Sequence, residues 1–302
     1  MRALVTGAGG FVGTHLVEHL EAAGDTVLLT DPMIDGVDIT DVDGVAELLA
    51  DSKPEVIYHL AGWADVGASW SNPAAAFRVN ADGTLNVLLA ALATGVSRVL
   101  IVSSADVYGS VAETEMPITE ETPLRPVSPY AASKVAADFL GLQAYLGRGL
   151  AVLRVRAFNH LGPGQTDKFV ASALASRIAR NEIEGTDEIP IGNLSARRDF
   201  TDVRDVVRAY RMIMSDGVPG EVYNVCSGRD VAVQELAEEL LTHASKPMHF
   251  VTDPDLLRPV DVPVLRGDHT KLTAATGWNP EISLARTLKD LLDDWRRRLG
   301  AT

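Results

Sequence analysis

Residues 4–16 read LVTGAGGFVGTHL, an apolar run followed by glycines and the start of a helical pattern. Gly7, Gly10 and Gly13 are spaced three residues apart, and Val12 stands where the common G-x-G-x-x-G form has its last glycine. Glycine permits a positive φ in a tight turn and lets a helix pack closely against a strand. The stretch therefore predicts a strand, a turn and a helix at the start of an α/β sheet.

The remainder of the first half continues the alternation of strands and helices. Apolar runs at 2–6, 26–30, 55–60, 98–103 and 151–156 alternate with helical patterns at 11–23, 41–50, 73–94 and 128–146. Continuous apolar strands separated by helices are typical of a parallel sheet covered on both faces. With right-handed crossovers this pattern predicts a doubly wound, Rossmann-type α/β fold.

The pattern changes after residue 160, where loops become longer and strands shorter. Strands are predicted at 188–191, 221–225 and 247–251, and helices at 167–180, 202–215, 231–243 and 283–299. We therefore expect residues 1–160 to form the Rossmann domain and residues 161–302 to form mainly a smaller α/β part. The segment 202–230 is expected to return to the first domain.

Composition narrows the classes of function. The 302 residues are 46% hydrophobic and 23% charged, which is an ordinary globular mixture. A net charge of −14 argues against binding to nucleic acid or to an anionic membrane. Cys226 is the only cysteine, so neither an internal disulfide nor a cysteine-based metal site is expected. We find no leader sequence and no apolar run of membrane-spanning length, and predict a cytoplasmic protein without a metal.

The glycine turn is typical of dinucleotide binding, because free N–H groups at the start of a helix attract phosphates. Asp31 ends the second strand, about 20 residues after the turn, where a carboxylate can bond the adenosine ribose hydroxyls. A carboxylate there repels a 2′-phosphate, so NAD(H) is favoured over NADP(H). A strand-ending turn before Pro32 is the alternative interpretation of Asp31.

A second motif, SPYAASK, places Tyr130 and Lys134 four residues apart on one helical face. An ammonium close to a phenol is expected to lower the phenol's pKa from its ordinary value of about 10. The preceding strand, LIVSS, carries Ser103 and Ser104 to the carboxyl edge of the sheet, where ligands bind. A serine hydroxyl there can bond a carbonyl oxygen beside the tyrosine. The three elements predict proton transfer to a carbonyl substrate.

With SADVYG around Ser104, these motifs resemble the extended short-chain dehydrogenase/reductase family, the NAD-dependent epimerases and dehydratases. The resemblance implies that Ser104, Tyr130 and Lys134 are the catalytic triad. The cofactor contacts that it implies are Gly7, Gly10, Phe11, Val12, Gly13, Asp31, Asp38, Ile39, Leu60, Ala61, Gly62, Asn80, Ser103, Tyr130 and Lys134.

The second half resembles the GDP-sugar branch of that family. The similar stretches are AFNHLGPGQ (157–165), GNLSARRDFTDVRD (192–205), VYNVCSG (222–228), LLRPVDVPV (256–264) and TGWNP (276–280). The resemblance implies that the C-terminal part binds a nucleotide sugar through Asn159, Asn193, Arg198 and Arg258, together with Ser104. Arg198 and Arg258 would hold the diphosphate, since a guanidinium fork matches phosphate oxygens. From the residues alone, either arginine reads as a surface charge or a structural ion pair.

The resemblance implies reduction of the C4 keto group of GDP-4-dehydro-6-deoxy-D-mannose by NAD(P)H. The product would be GDP-D-rhamnose or its C4 epimer, GDP-6-deoxy-D-talose, with Tyr130 as the proton donor. Ala105 and Asp106 stand where the reductases carry two glutamates, and related 4,6-dehydratases carry a catalytic glutamate at the position of Asp106. A dehydratase that retains its NAD therefore stays open, as do a 4-epimerase and a non-catalytic NAD-binding protein. The resemblance also implies a homodimer formed through the helices near 73–94 and 128–146.

Overall fold

The computed structural model describes residues 1–256 and 262–300, in which the predicted strands and helices are present with small shifts at their ends, except for the helix predicted over 73–94. The strands are β1 (Arg2–Thr6), β2 (Thr26–Thr30), β3 (Val56–His59), β4 (Arg98–Ser104), β5 (Val152–Ala157), β6 (Asn159–Leu161), β7 (Glu188–Ile191), β8 (Arg197–Asp202), β9 (Val222–Val225), β10 (Asp230–Ala232), β11 (His249–Thr252) and β12 (Val264–Leu265). The helices are α1 (Phe11–Ala22), α2 (Val42–Ser52), α3 (Val66–Ser71), α4 (Pro73–Phe77), α5 (Gly83–Thr94), α6 (Pro129–Arg148), α7 (Val170–Glu184), α8 (Val203–Asp216), α9 (Val233–Thr242), α10 (Thr270–Thr276) and α11 (Leu284–Leu299).

The main sheet is parallel throughout, with the strand order β2-β1-β3-β4-β5-β9. The chain runs outward from β1 to β2 on one side and then from β3 to β9 on the other. The order therefore reverses between β1 and β3, and in such sheets ligands bind beyond the carboxyl ends of the strands at that reversal. The predicted doubly wound fold is confirmed.

Apolar side chains cover both faces of this sheet. Leu16, Leu20 and Ile213, from α1 and α8, are fully buried in one cluster with residues of β1, β3 and β5. Leu49 and Leu88, from α2 and α5, belong to a second cluster with other residues of the same sheet. Since alternate residues of a strand point to opposite faces, continuously apolar strands are what a sheet covered on both sides needs.

The C-terminal part is built around β8. β10 pairs with β8 in the antiparallel sense, whereas β6 and β12 pair with it in parallel, and β7 pairs with β11. Ile178, Leu236 and Leu291 bring α7, α9 and α11 together in a separate core. The segment 202–230 contributes α8 and β9, which pack with the main sheet.

The helix predicted over 73–94 is divided. α4 and α5 are joined by a π turn over Arg78–Asp82, in which Asn80 is buried. The Thr84 hydroxyl donates to the Asn80 carbonyl oxygen at 2.6 Å, so this carbonyl is bonded by a side chain. π turns are rare and occur often at functional sites. No helix in the described part of the chain has the length and apolar character needed to span a membrane.

Candidate active site

The glycine turn connects β1 to α1 at the carboxyl edge of the main sheet. Gly7 has φ of +71°, and a Cβ built on it would lie 2.8 Å from the Ala61 nitrogen. A Cβ on Gly13 would lie 2.1 Å from the Gly7 carbonyl oxygen, so α1 packs directly on the turn. Gly10 caps α1 without a side-chain hydrogen bond, and Phe11 and Val12 follow in its first turn. The backbone N–H groups at this helix start are arranged as a dinucleotide pyrophosphate requires.

Asp31 lies beside the glycine turn. A Cβ built on Gly9 would be 3.2 Å from the Asp31 carboxyl carbon, which places this carboxylate at the edge of the turn. Asp31 also accepts a hydrogen bond from the Met33 nitrogen, as the turn interpretation expects. A carboxylate at this position can therefore both bond the ribose of a cofactor and hold the turn that ends the strand. The prediction of a strand-ending carboxylate next to the glycines agrees with the structure.

Other residues predicted to contact the cofactor lie in the segments that follow β2 and β3. Asp38 is exposed and accepts bonds from the Thr40 nitrogen and hydroxyl, whereas the Ile39 side chain packs in the core against Gly83. Leu60, Ala61 and Gly62 form the loop that follows β3.

Ser104, Tyr130 and Lys134 come together at the carboxyl end of β4. Ser104 is its last residue, and the hydroxyl of the buried Tyr130 lies near enough to the Ser104 side chain to influence the Tyr130 pKa. The Lys134 ammonium donates to the Val102 carbonyl oxygen at 3.0 Å. Ser103, which the sequence places among the cofactor contacts, is buried and its hydroxyl donates to the Lys134 carbonyl oxygen at 3.3 Å. The structure thus assembles the three residues that the motifs single out.

The expectation that Lys134 lowers the pKa of Tyr130 is wrong in this structure. Burial raises the pKa of Tyr130, the Asp106 carboxylate raises it further, and the bond with Ser104 acts against these effects. Burial also lowers the pKa of Lys134 to about 8. Each group is displaced towards its uncharged form because a charge is poorly solvated there. At neutral pH Tyr130 therefore keeps its proton, which is the form that a proton donor needs.

Three serines hold the first turn of α6 and so position Tyr130. Ser128 caps the helix by accepting from the Ala131 nitrogen at 3.1 Å. The fully buried Ser69 hydroxyl accepts from the Tyr130 nitrogen at 3.2 Å, and the Ser133 hydroxyl donates to the Tyr130 carbonyl oxygen at 2.7 Å. Sequence reasoning did not single out Ser133. Its position inside SPYAASK, one residue before Lys134, was the available signal.

Asn80 joins the π turn to the loop after β3. Its Oδ1 accepts from the Trp63 nitrogen at 2.8 Å, and its Nδ2 donates to the Ser133 hydroxyl at 2.8 Å. A Cβ built on Gly62 would lie 2.8 Å from the Asn80 Oδ1 and 3.1 Å from the Lys134 Nζ. Gly62 is thus required where the loop passes over both side chains. Asn80 and Lys134, both predicted to contact the cofactor, lie on one surface.

Of the residues predicted to bind the sugar nucleotide, Asn159, Asn193 and Arg198 lie on or next to the strands β6 and β8. Asn159 in β6 pairs with Phe200 in β8, so Arg198 is two residues along the adjacent strand. Asn193 is in the exposed loop before β8, where its Oδ1 accepts from the Ser195 nitrogen and hydroxyl. Arg258 lies outside the described residues. The structure therefore brings Asn159 and Arg198 onto neighbouring strands.

Asp106 lies in the 3₁₀ turn Ala105–Tyr108 directly after β4. Its backbone nitrogen donates to the Ser104 hydroxyl at 3.2 Å, and its carboxylate is near enough to raise the pKa of Tyr130. Ser104 is therefore the residue that caps this turn. Asp106 is an acidic neighbour of Tyr130.

A nicotinamide dinucleotide fits these residues. The glycine turn offers backbone donors for the pyrophosphate, and Gly7 and Gly13 stand where a Cβ would collide with the backbone. At the other end of the cleft, the backbone at Gly62 lies close to the Lys134 ammonium, a donor suited to ribose oxygens. Fold and site together define a dehydrogenase/reductase of the short-chain type.

The chain belongs to the GDP-mannose 4,6 dehydratase family, whose model matches residues 30–291. GDP-6-deoxy-D-mannose reductase from Pseudomonas aeruginosa is 41% identical over 301 residues, covering 99% of this chain and 98% of that protein. GDP-6-deoxy-D-talose 4-dehydrogenase from Aggregatibacter actinomycetemcomitans is 30% identical over 279 residues, covering 92% of each protein. The structure of RMD from Pseudomonas aeruginosa complexed with NADPH has a TM-score of 0.91 and 40% identity, covering 99% of this chain and 100% of that one. The predicted membership of the extended short-chain dehydrogenase/reductases is confirmed.

Proposed function

We propose that this protein reduces the C4 keto group of GDP-4-dehydro-6-deoxy-D-mannose with NAD(P)H, which forms GDP-D-rhamnose. The observation that carries the proposal is the Ser104, Tyr130 and Lys134 site at the end of β4. It occurs in a chain that is 41% identical over nearly its whole length to GDP-6-deoxy-D-mannose reductase. Addition to the opposite face of the same carbonyl would give GDP-6-deoxy-D-talose.

When bound, the reduced nicotinamide supplies the hydride that adds to C4. The Ser104 and Tyr130 hydroxyls bond the C4 oxygen and orient the carbonyl. As the C=O bond becomes a single bond and its electron pair moves to oxygen, the Tyr130 Oη–H bond breaks and the proton goes to that oxygen. An alkoxide is much more basic than a phenolate, so the transfer is favourable even though burial raises the pKa of Tyr130.

Lys134 has two roles in this proposal. Its ammonium lies against the Gly62 backbone, where it can bond the ribose hydroxyls of the cofactor. Its second role is to tie α6 to β4, because the same ammonium donates to the Val102 carbonyl oxygen at 3.0 Å.

The sugar nucleotide is proposed to lie over the C-terminal part. Asn159 would contact the sugar and Arg198 the diphosphate, with Asn193 and Arg258 completing the contacts. Support comes from the adjacent strands β6 and β8, which place Asn159 and Arg198 near each other. On a chain with a net charge of −14, a dianionic ligand needs such cations.

We propose NADH as the preferred cofactor. The Asp31 carboxylate lies against the glycine turn, and the segment from Asp31 to Ser52 contains no lysine or arginine that would pair with a 2′-phosphate. The structure of RMD contains NADPH, but this describes the cofactor of the Pseudomonas aeruginosa protein. The carboxylate at residue 31 supports the opposite preference here.

The proposal includes a homodimer formed through α4, α5 and α6. Phe77, Leu89, Phe139 and Leu146 on these helices are large apolar side chains exposed to solvent. A second copy of the same helices would cover them. A cytoplasmic location is also part of the proposal, supported by the single unpaired thiol of Cys226.

The test is one assay with purified protein. GDP-4-dehydro-6-deoxy-D-mannose is supplied with NADH or NADPH, loss of the reduced-nicotinamide absorbance is followed, and the sugar is identified by NMR. We expect stoichiometric consumption, GDP-D-rhamnose as product and a lower KM for NADH. Tyr130→Phe should lower kcat by about 10²–10⁴-fold through loss of the proton donor. Tyr145→Phe, on the same helix α6, is the matched control and should retain kcat.

The other outcome identifies a dehydratase. If reduced cofactor is not consumed, and GDP-mannose is instead converted to a 4-keto sugar without added cofactor, the reductase proposal is wrong. The family model and the carboxylate beside Tyr130 are the observations that favour this second candidate. Asp106→Asn would then abolish water elimination.

A further inference from the structure

His59, the last residue of β3, is buried and bonded on both ring nitrogens. Its Nδ1 is 2.8 Å from the Thr6 hydroxyl, and its Nε2 is 3.0 Å from the Thr84 hydroxyl. Thr6 is the register partner of His59 on β1, and Thr84 is in the first turn of α5. The imidazole therefore spans from the glycine-turn strand to the helix that follows the π turn.

The neighbouring bonds fix the direction of this chain. The Thr84 hydroxyl donates to the Asn80 carbonyl oxygen at 2.6 Å, so it must accept from His59 Nε2–H. With the proton on Nε2, Nδ1 is an acceptor and the Thr6 hydroxyl donates to it. The Thr6 oxygen is in turn an acceptor for the Ala61 nitrogen at 3.1 Å. The series runs without conflict from Ala61 N–H through Thr6, His59 and Thr84 to the Asn80 carbonyl.

The series ends at Ala61 and at Asn80, and these two residues flank the place where the nicotinamide is proposed to bind. Ala61 precedes Gly62, whose backbone lies over the Lys134 ammonium and the Asn80 amide. Asn80 is held at its carbonyl by the series and at its side chain by Trp63. The imidazole is therefore a second link between the loop at 60–63 and the π turn, beside the direct bonds between Asn80 and Trp63.

Only a neutral imidazole can complete the series, because an imidazolium has no acceptor for Thr6. Burial, together with the smaller effect of the Lys134 ammonium, lowers the pKa of His59 to about 3. The ring therefore has one fixed protonation state throughout the working range of the enzyme.

We propose that His59 is a positioning residue for the nicotinamide cofactor, holding Ala61, Gly62 and Asn80 in the arrangement that binds it. The proposal rests on the proposed function only in requiring that the chain binds NAD(P)H. It assigns to His59 an effect on cofactor affinity and none on the chemical step.

The experiment measures NADH affinity directly, by fluorescence titration of wild-type protein and of His59→Leu, Thr84→Val and Thr30→Val variants. Thr84 and Thr30 are both 2% exposed, but the buried Thr30 hydroxyl has no hydrogen-bond partner, so Thr30→Val is the matched control. We expect His59→Leu and Thr84→Val to raise the Kd for NADH at least tenfold, and Thr30→Val to change it less than twofold. His59→Gln, whose amide nitrogen can replace Nε2 as the donor to Thr84, should recover part of the affinity.

Two further readouts separate positioning from general destabilisation. At saturating cofactor, the sugar KM and kcat of Thr84→Val should stay within about threefold of wild type, and its Tm should match that of Thr30→Val within the spread expected for one buried hydroxyl. Nitrogen-15 NMR should show His59 as the Nε2–H tautomer with no protonation down to pH 5.

Unchanged Kd values for NADH in His59→Leu and Thr84→Val, or an Nδ1–H tautomer, would overturn the inference alone. An equal loss of affinity in Thr84→Val and Thr30→Val would overturn it as well. If the wild-type protein bound neither NADH nor NADPH, the proposed function would fall together with it.

Discussion

Tyr130 and Lys134 lie one helical turn apart, and burial displaces the pKa of each towards its neutral form. For Tyr130 this maintains the acid that the reduction consumes. For Lys134 it places the loss of the positive charge near pH 8, within the range where the enzyme can be assayed. The alkaline limit of activity should therefore be a property of the lysine.

We predict that kcat/KM is constant from neutral pH to about 8 and falls above it. Below a pKa of about 8 the Lys134 side chain is an ammonium, and above that pKa it loses the charge with which it is proposed to hold the cofactor ribose. The pH dependence of the initial rate measures this. In Lys134→Arg the guanidinium remains charged, so the remaining activity should lose its decline near pH 8. A wild-type profile that stays flat to pH 10 would contradict the assignment.

The motifs predicted which residues come together in the candidate site, but they did not predict the direction in which the pKa of Tyr130 is displaced. Gly7, Gly13, Ser104, Tyr130 and Lys134 were found because each motif is contiguous in sequence. The direction of the Tyr130 pKa was missed, since burial depends on how distant segments fold over α6.

At the scale of elements, the positions of strands and helices followed from hydrophobic patterns, whereas the π turn within 73–94 did not. The pattern across 73–94 remains helical, and the widened turn is associated with side-chain bonds from Thr84 and Asn80 to backbone groups. The hydrogen bonds of Ser69 and His59 could not be predicted from the sequence either. Ser69 bonds Tyr130, 61 residues away, and His59 bonds Thr6, 53 residues away. A histidine ending the apolar strand VIYH was the one visible signal, because a buried imidazole requires partners.

The start of α6 gives the prediction at this scale. Ser69→Ala removes the acceptor of the buried Tyr130 N–H, which should lower the free energy of unfolding by about 1–3 kcal/mol. We expect kcat to fall at least tenfold as well, because the phenol is no longer held beside Ser104. Thermal unfolding and steady-state kinetics measure the two effects.

Ser128→Ala is the matched variant on the same turn. It removes the cap on the Ala131 nitrogen at a similar cost of about 1 kcal/mol, and the Tyr130 N–H keeps its partner. Equal losses of kcat in the two variants would show that helix stability, and not the position of Tyr130, limits the rate.

At the scale of the whole molecule, two layers of helix cover the main sheet while α4, α5 and α6 still present apolar side chains to solvent. Phe139 and Leu146 are seven residues apart on one face of α6, and both are exposed. Contiguous exposed apolar surface of this kind marks association in proteins with an otherwise charged surface. The net charge of −14 opposes non-specific association, so the proposed dimer requires a specific contact.

We predict that the protein is a dimer and that Phe139→Glu makes it a monomer, since a carboxylate would be buried without a partner in the two-fold contact. Light scattering coupled to size-exclusion chromatography measures the mass. Ile183→Glu is the matched control, because Ile183 is 54% exposed on α7 and Phe139 is 52% exposed. A monomeric wild type, or a dimeric Phe139→Glu, would contradict the prediction.

The contact of Gly13 with the Gly7 carbonyl oxygen also limits how such an enzyme can be redesigned. A side chain at either glycine would meet backbone atoms, which cannot turn aside as a flexible side chain can. The phosphate-binding turn therefore offers no freedom for altering cofactor choice. Asp31 touches the turn only through its carboxylate, and replacing it leaves the backbone contacts intact. Because NADH is the proposed cofactor, engineering towards the phosphorylated cofactor should begin at residue 31 and leave the turn unchanged.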